Sequence, residues 1–222
     1  MPKGSEELTN SRKEEIVNAC AQLYETVPFK EITLREIGSK TSFTRTSIYN
    51  YFHTKEEIFL ALLQREYEAW IADLNELAGK GSVRTAGRFP AAFAQTLEKR
   101  RCMLKLLSMN TWDLEAGSRL ENLTAFKTAY RDSLAAVSRC LEKFFPELTA
   151  KDRQEFIYAL YPFLFGVYPY TASTEKQIEA MERAQVPFVR YSVREIVGLL
   201  VEKLLAGLCG RHGRNGTKRK TK

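Results

Sequence analysis

Apolar residues recur three or four positions apart along almost all of this 222-residue chain, and strand-type alternation is absent over any useful length. The pattern predicts an all-α fold. The first run, Ile16, Ala19, Cys20, Leu23, Tyr24 and Val27, follows Ser11-Arg12-Lys13-Glu14. That spacing fits a capping box, in which a hydroxyl and a carboxylate satisfy orphan backbone donors reciprocally. Pro28 ends the run, because proline disfavours the helical conformation of the residue before it. Thr33-Leu34-Arg35-Glu36 and Thr54-Lys55-Glu56-Glu57 repeat the box, and Thr44 reads as an N-cap without the carboxylate partner.

From Lys55 a long helix is predicted to about Leu77, with Ile58, Phe59, Leu62, Leu63, Tyr67, Trp70, Ile71 and Leu74 as its stripe. Gly79, Gly81 and Gly87 mark a break. Further helices are predicted from about Pro90 to Ser108, from Ser118 to Phe145, from Thr149 to about Tyr168, from Thr174 to Ala184 and from Ser192 to Leu208. Pro162 is expected to kink or split the helix that contains it. The segment from Gly210 to Lys222 is glycine-rich, basic and apolar-free, and is expected to be disordered.

Composition narrows the class. At 44% hydrophobic the chain can bury a real core, and it has no run of about 18 uncharged apolar residues to span a membrane. Its first residues lack the apolar stretch of a signal peptide, so the cytoplasm is the expected compartment and no membrane partner is expected. Cys20, Cys102, Cys140 and Cys209 are scattered without a C-x-x-C pair, as expected of reduced, mostly buried thiols and not of a metal or redox site. The histidines are His53 and His212 alone. No catalytic constellation, metal site or cofactor loop is found, which argues against an enzyme.

Charge is distributed unevenly. The net charge is +7, yet residues 1–75 hold nine basic and twelve acidic side chains, and six bases with no acid lie from Arg211 onward. Within the acidic first segment nothing acidic lies between Glu36 and Glu56, an interval that carries Lys40, Arg45 and Lys55. A locally basic window of this kind can attract phosphate without making a whole domain adhesive.

That window coincides with the most specific stretch of the chain: Thr33 to Gly38, then Phe43-Thr44-Arg45-Thr46-Ser47-Ile48-Tyr49-Asn50-Tyr51-Phe52, then Thr54 to Phe59. Two short helices joined by a tight turn and followed by a long helix form a layout for reading the DNA major groove. The second short helix offers small polar and aromatic donors on one side and Ile48 and Phe52 on the other.

Residues 12 to 70 resemble the DNA-binding domain of the TetR family of transcriptional regulators. The likeness is carried by Thr33-Leu34-Arg35-Glu36-Ile37, Ile48-Tyr49-Asn50-Tyr51-Phe52 and Lys55-Glu56-Glu57-Ile58-Phe59. It departs at Ser42 and Thr46, where the family often has glycine. The resemblance implies a three-helix helix-turn-helix domain over residues 8–54, a helical ligand-binding and dimerisation bundle over 55–209, and the basic tail over 210–222. It further implies a homodimeric repressor released from a palindromic, double-stranded operator by a small-molecule effector. A helical architectural nucleic-acid-binding protein without an effector is the alternative.

Each residue of the motif can be given a role. Thr44 caps the recognition helix, whose N-terminus favours phosphate. Tyr49 and Tyr51 reach backbone oxygens, and Lys55, with the amides of its helix, converges on a phosphate. Arg45 suits bidentate recognition of guanine, Asn50 suits adenine, and Thr46 and Ser47 suit edges or phosphates. Thr33 and Arg35 touch the flanking backbone. For the effector, Trp112, Phe126, Tyr130, Phe163 and Tyr168 are the candidate wall residues of an apolar or aromatic pocket. The dimer surface is expected around Phe156 to Tyr161 and along Val193 to Leu208, where Ile196, Val197, Leu199, Leu200, Val201, Leu204 and Leu205 exceed the needs of one core stripe.

Overall fold

Eleven α-helices are found among the described residues of the computed structural model, and no strand. Residues 3–80, 83–109 and 111–218 are described, with the side chains of residues 3–6, Arg45, 83–85 and 212–218 outside that description. In chain order the helices are α1 (Lys3–Thr26), α2 (Leu34–Ser39), α3 (Arg45–Ile48), α4 (Lys55–Lys80), α5 (Phe89–Glu98), α6 (Arg101–Leu107), α7 (Thr111–Ala116), α8 (Leu120–Phe144), α9 (Ala150–Thr171), α10 (Glu175–Arg183) and α11 (Val193–Lys218). A 3₁₀ turn, Val83–Arg88, leads into α5.

The helices group into two units. One comprises Met1–Tyr67 with Asn110–Tyr130, the other Glu68–Met109 with Arg131–Lys222. The first unit is built on Ile16, Cys20 and Tyr24 of α1, Ile37 of α2, Ile48 of α3, and Ile58, Phe59, Leu62 and Leu63 of α4, all buried. Phe59 is its aromatic centre, with Tyr24 and Phe29 edge-on at 5.2 and 4.7 Å between ring centroids.

The second unit is centred on Phe89 and Phe93 of α5. Phe89 packs on Phe93, Phe144 and Phe145 at centroid separations of 5.5, 4.9 and 5.4 Å. Phe93 in turn meets Trp70 at 6.1 Å and Phe156 at 6.3 Å. The polar atoms of this core are paired, as burial demands. Trp70 Nε1 donates to Thr96 Oγ1 at 2.9 Å, Thr96 Oγ1 donates to the Phe93 carbonyl at 2.7 Å, and the Ser133 and Tyr161 hydroxyls lie 2.8 Å apart. Cys140 is buried against the Leu74 carbonyl, and burial pushes its thiol up to about 11.

Several boundaries differ from those the pattern predicts. Ser11 lies inside α1, which is already helical from Lys3, so the first capping box is not a helix start. The predicted helix from Pro90 to Ser108 is two helices, because Arg100 leaves the helical region (φ −102°, ψ 43°). Its guanidinium instead holds Asp73, with Nε and Nη2 at 2.9 and 2.7 Å. The short α7 precedes α8 where no helix was expected. α9 runs on through Pro162 and Pro169 without splitting. Both rings lie on its exposed side, where water can satisfy the carbonyls that lose their donors. The expectation of disorder from Gly210 is corrected at least as far as Arg211. α11 continues to Lys218, and Arg211 Nη2 donates to Glu155 Oε2 at 2.6 Å and lies 3.6 Å from Asp152. Residues 219–222 lie outside the described residues.

Phe89 is 1% exposed and touches three other rings, so Phe89→Ala should leave a cavity that its neighbours cannot fill. A loss of about 3–5 kcal/mol is expected on chemical denaturation, with helicity retained below the transition.

Candidate nucleic-acid interface

The short helices of the first unit are fixed by side chains from neighbouring segments. Thr33 caps α2 through a complete box: its hydroxyl accepts from Glu36 N at 3.3 Å, and Glu36 Oε2 accepts from Thr33 N at 2.7 Å. The turn between α2 and α3 is fastened to α1. The Ser42 N–H donates to Glu15 in a very short bond, the Ser42 hydroxyl donates to Glu15 at 3.2 Å, and Arg12 Nη1 donates to Ser42 Oγ at 2.8 Å. The Ser42 N–H, chiefly, holds the Glu15 carboxyl below its usual range. Arg12 also stands over the Phe43 ring at 4.8 Å. Ser42 is not in the left-handed region, so this turn does not require the glycine that commonly occupies it.

α3 is only four residues long, and the chain turns on through Tyr49 to Tyr51. Ile48 and Phe52 face inward, at 0% and 3% exposed. Thr44, Thr46, Tyr49 and Asn50 are exposed, with Ser47 and Tyr51 half-buried. Thr33 and Arg35 are exposed at the start of α2. The side chain of Arg45 lies outside the described residues. Thr44 occupies the N-cap position, but its hydroxyl lies 3.2 Å from that of Ser47 and does not cap the helix. The amides of the first turn of α3 are therefore left without that side-chain cap.

Lys55 differs from its expected role. Its ammonium donates inward to the Phe29 and Ile32 carbonyls at 2.9 and 3.0 Å and stands 4.2 Å from the centre of the Phe29 ring. A flexible stem and three donors let a lysine close a turn as readily as it binds a phosphate. In this conformation Lys55 holds the chain between α1 and α2.

Two further residues complete the site, Glu57 of the third box and Arg119, which the pattern did not single out. Glu57, 1% exposed in the first turn of α4, accepts from His53 N at 2.8 Å and from Arg119 N, Nε and Nη2 at 3.0, 2.7 and 3.0 Å. Arg119 Nη2 also donates to the Tyr51 carbonyl at 3.1 Å. Beside them the Thr54 hydroxyl donates to the Gly117 carbonyl at 2.9 Å. A Cβ at Gly117 would lie 3.0 Å from Glu56 Cβ and Cγ, so a larger residue there would have to displace the Glu56 stem by a few tenths of an ångström. Burial alone would push the Glu57 carboxyl up. The Arg119 guanidinium and the two N–H donors outweigh it and hold the group at about 2. Sequence reasoning places Glu57 only as a carboxylate at a helix start; nothing local points to a partner 62 residues away.

The candidate effector residues fall in both units. Trp112 is 78% exposed on α7. Phe126, 4% exposed, packs on Tyr67 at 6.0 Å as part of the core. Tyr130 is half-buried, edge-on to Tyr67 at 5.9 Å. In the second unit Phe163 and Tyr168 are half-buried on α9, and the Arg101 guanidinium lies 5.7 Å from the Tyr168 ring centre. Between Phe156 and Tyr170 α9 itself carries no charged residue. Among the described residues no group of three metal-ligating side chains converges, and no helix is long and apolar enough to cross a membrane.

Residues 16–62 match the family of bacterial regulatory proteins described as tetR, and residues 64–212 match the tetracyclin repressor-like C-terminal domain. The chain belongs to the tetR family. A curated relative, the HTH-type transcriptional repressor NemR of Escherichia coli K12, is 29% identical over 121 residues, covering 51% of this chain. The match spans 59% of that repressor's length. Among solved structures, the fatty acid degradation regulator FadR from Bacillus halodurans superposes with a TM-score of 0.56 at 17% identity, over 89% of this chain and 96% of that one. FadR from Bacillus subtilis, solved in complex with stearoyl-CoA, gives 0.57 at 12% identity, over 87% and 98%. These two likenesses concern the fold. Within this tetR-family chain the helix-turn-helix residues fall inside the first matched segment, and Trp112, Phe126, Tyr130, Phe163 and Tyr168 inside the second.

The depressed Glu57 carboxyl gives a signed expectation. Its folded value of about 2 lies below the ordinary 4.5, so it contributes stability that is complete above pH 4.5 and is lost as the pH falls toward 2. Glu57→Gln should therefore be destabilised relative to the wild type at pH 6, and the gap should close as the pH approaches 2. Urea denaturation across that range measures it.

Proposed function

We propose that this tetR-family chain is a non-enzymatic, homodimeric, DNA-binding transcriptional regulator of the cytoplasm. It acts as a repressor, released from a palindromic operator by a small hydrophobic or aromatic effector. The observation that carries the reading is the two-sided second helix of the helix-turn-helix. Ile48 and Phe52 anchor it inward, while Thr46, Tyr49 and Asn50 stand exposed for base edges and phosphates. Residues 8–54 are assigned to DNA and 55–209 to effector and dimer, a division supported by the family matches over 16–62 and 64–212.

One recognition helix reads few base pairs, so useful specificity calls for two copies on a pseudo-palindrome. The exposed side of α9 supports a second copy. Tyr158, Phe165 and Tyr170 are 70%, 40% and 75% exposed at helical spacing, with Ala159, Pro162 and Pro169 exposed between them. On α11 Leu199 is 42% exposed. A groove between the two helices is lined by Phe156, Ala159, Leu204, Gly207 and Leu208, rimmed by the charged Glu155, Lys203 and Arg211. Exposed apolar side chains with a charged rim suit an association site. Phe156 and Tyr161, named from the pattern, lie on the buried side of the same helix.

For the effector, Phe163 and Tyr168 remain the proposed wall residues in the second unit, with Arg101 able to meet an acidic group. The stearoyl-CoA bound by the Bacillus subtilis FadR is an acyl compound of that chemical kind. Effector binding would act by favouring a conformation whose recognition helices no longer match successive major grooves.

Selection from a random duplex library should return a palindrome, and footprinting should show protection over two half-sites. Arg45→Ala should lose discrimination at one base position, a cost of about 1–3 kcal/mol for a bidentate contact. A selected set without symmetry would favour an architectural role instead. Sedimentation at micromolar concentration should give a dimer, and Tyr158→Asp with Phe165→Asp should give a folded monomer with weakened operator binding.

A further inference from the structure

We propose that Arg119 is a positioning residue for the recognition helix and that it fixes the half-site spacing the dimer accepts. This rests on the reading of the chain as a dimeric, operator-binding regulator.

The starting point is how little holds α3 in place. Four residues of helix cannot sustain themselves in water. Burial of Ile48 and Phe52 keeps the element on the core, but apolar burial is non-directional and tolerates rocking. Direction before α3 comes from the Glu15 and Arg12 clamp on Ser42, and after it from Arg119. Its guanidinium joins two points of the recognition segment with one planar fork. Nε and Nη2 grip the Glu57 carboxylate at 2.7 and 3.0 Å, and Nη2 reaches the Tyr51 carbonyl at 3.1 Å, at the end of the turn that follows α3. A rigid fork with two anchors sets both distance and angle. Glu57 passes the constraint on, because Oε2, which accepts from Arg119 Nη2, also accepts from the N–H of His53, between α3 and α4.

A second strut stops the segment from sliding. The Thr54–Gly117 bond lies alongside, and the Gly117 backbone is seated against the stem of Glu56. The turn that carries Arg119 is closed on itself by Gly117 N to Asp113 O at 3.0 Å and Ser118 Oγ to Leu114 O at 2.7 Å. Arg119 is followed directly by the 25-residue α8, so its backbone is anchored to a long element.

An ion pair with one partner fully buried adds little net stability compared with a well-packed apolar pair, and its use lies more in geometry. In a dimer that reads two half-sites about one helical turn apart, a tilt of each recognition helix changes their separation, and spacing is therefore what the fork controls.

The test uses full-length protein and the palindrome selected with the wild type. Duplexes with one base pair added to or removed from the centre measure spacing preference, and a scrambled duplex measures non-specific binding. Arg119→Lys keeps the charge but loses the fork; Arg119→Met removes both. Both variants are expected to lose at least tenfold in operator affinity and to bind the shifted duplexes within threefold of the original. Scrambled-duplex affinity and dimerisation should stay at wild-type values. Amide exchange should quicken at residues 51–53 and remain unchanged in the second unit. If Arg119→Met does not fold, Arg119→Lys decides. Wild-type affinity and spacing preference in folded Arg119→Lys would overturn the proposal while leaving the DNA-binding reading intact. An equal loss on operator and scrambled DNA, with uniformly faster exchange, would also overturn it, since it would mark a merely structural role. Failure of the wild type to select any duplex would defeat the DNA-binding reading itself.

Discussion

A four-residue helix must borrow its order from elsewhere, and that constraint organises the first unit. Nucleating a helical turn fixes several residues for a single hydrogen bond, so α3 exists because its surroundings hold it. Ile48 and Phe52 supply the inward attraction. α1 supplies Glu15 and Arg12 to clamp the turn before it, α4 supplies Glu57, and the start of α8 supplies Arg119. The outward side chains then need no structural duty of their own. The outward surface can carry Thr46, Tyr49 and Asn50 because the order is provided from behind.

The second unit solves a different problem. Its core is dominated by aromatic rings, with Phe89 and Phe93 linking Trp70, Phe144, Phe145 and Phe156 through edge-on and tilted contacts. Large rings bury much area with few torsions and still pack at defined angles. The hydroxyls and indole nitrogen caught among them are paired with one another, so the core carries polar atoms at little cost. The same helix that contributes Phe156 and Tyr161 inward presents Tyr158, Phe165 and Tyr170 outward. A helix apolar all round is one that expects neighbours on every side.

Charges illustrate how context decides role. Lys55 and Arg119 are both cations near the helix-turn-helix, and both are turned inward to backbone carbonyls or a carboxylate. Glu15 and Glu57 are held in their charged form by N–H donors and an arginine. The local excess of positive charge between Glu36 and Glu56 is therefore partly committed to holding the fold, which leaves Lys40 as an exposed cation among its described side chains.

Much of the architecture was legible in the order of residues. Helical periodicity, the Thr33 and Thr149 capping boxes and the absence of strand alternation determine an all-α chain, because these are short-range effects of backbone and side-chain geometry. The motif from Thr33 to Phe59 identifies the family for the same reason: its turn chemistry and inward residues are local. What happens between distant segments was not legible. The Glu57–Arg119 pair joins residues 62 positions apart, the Arg100–Asp73 pair breaks a predicted helix, and Lys55 turns to carbonyls of another segment. Only packing also decides that Phe126 is core and Trp112 is surface, since a large aromatic side chain suits either place until its neighbours are known. Short-range preferences are written residue by residue, whereas the choice of partner for a charge or a ring depends on which elements the fold brings together.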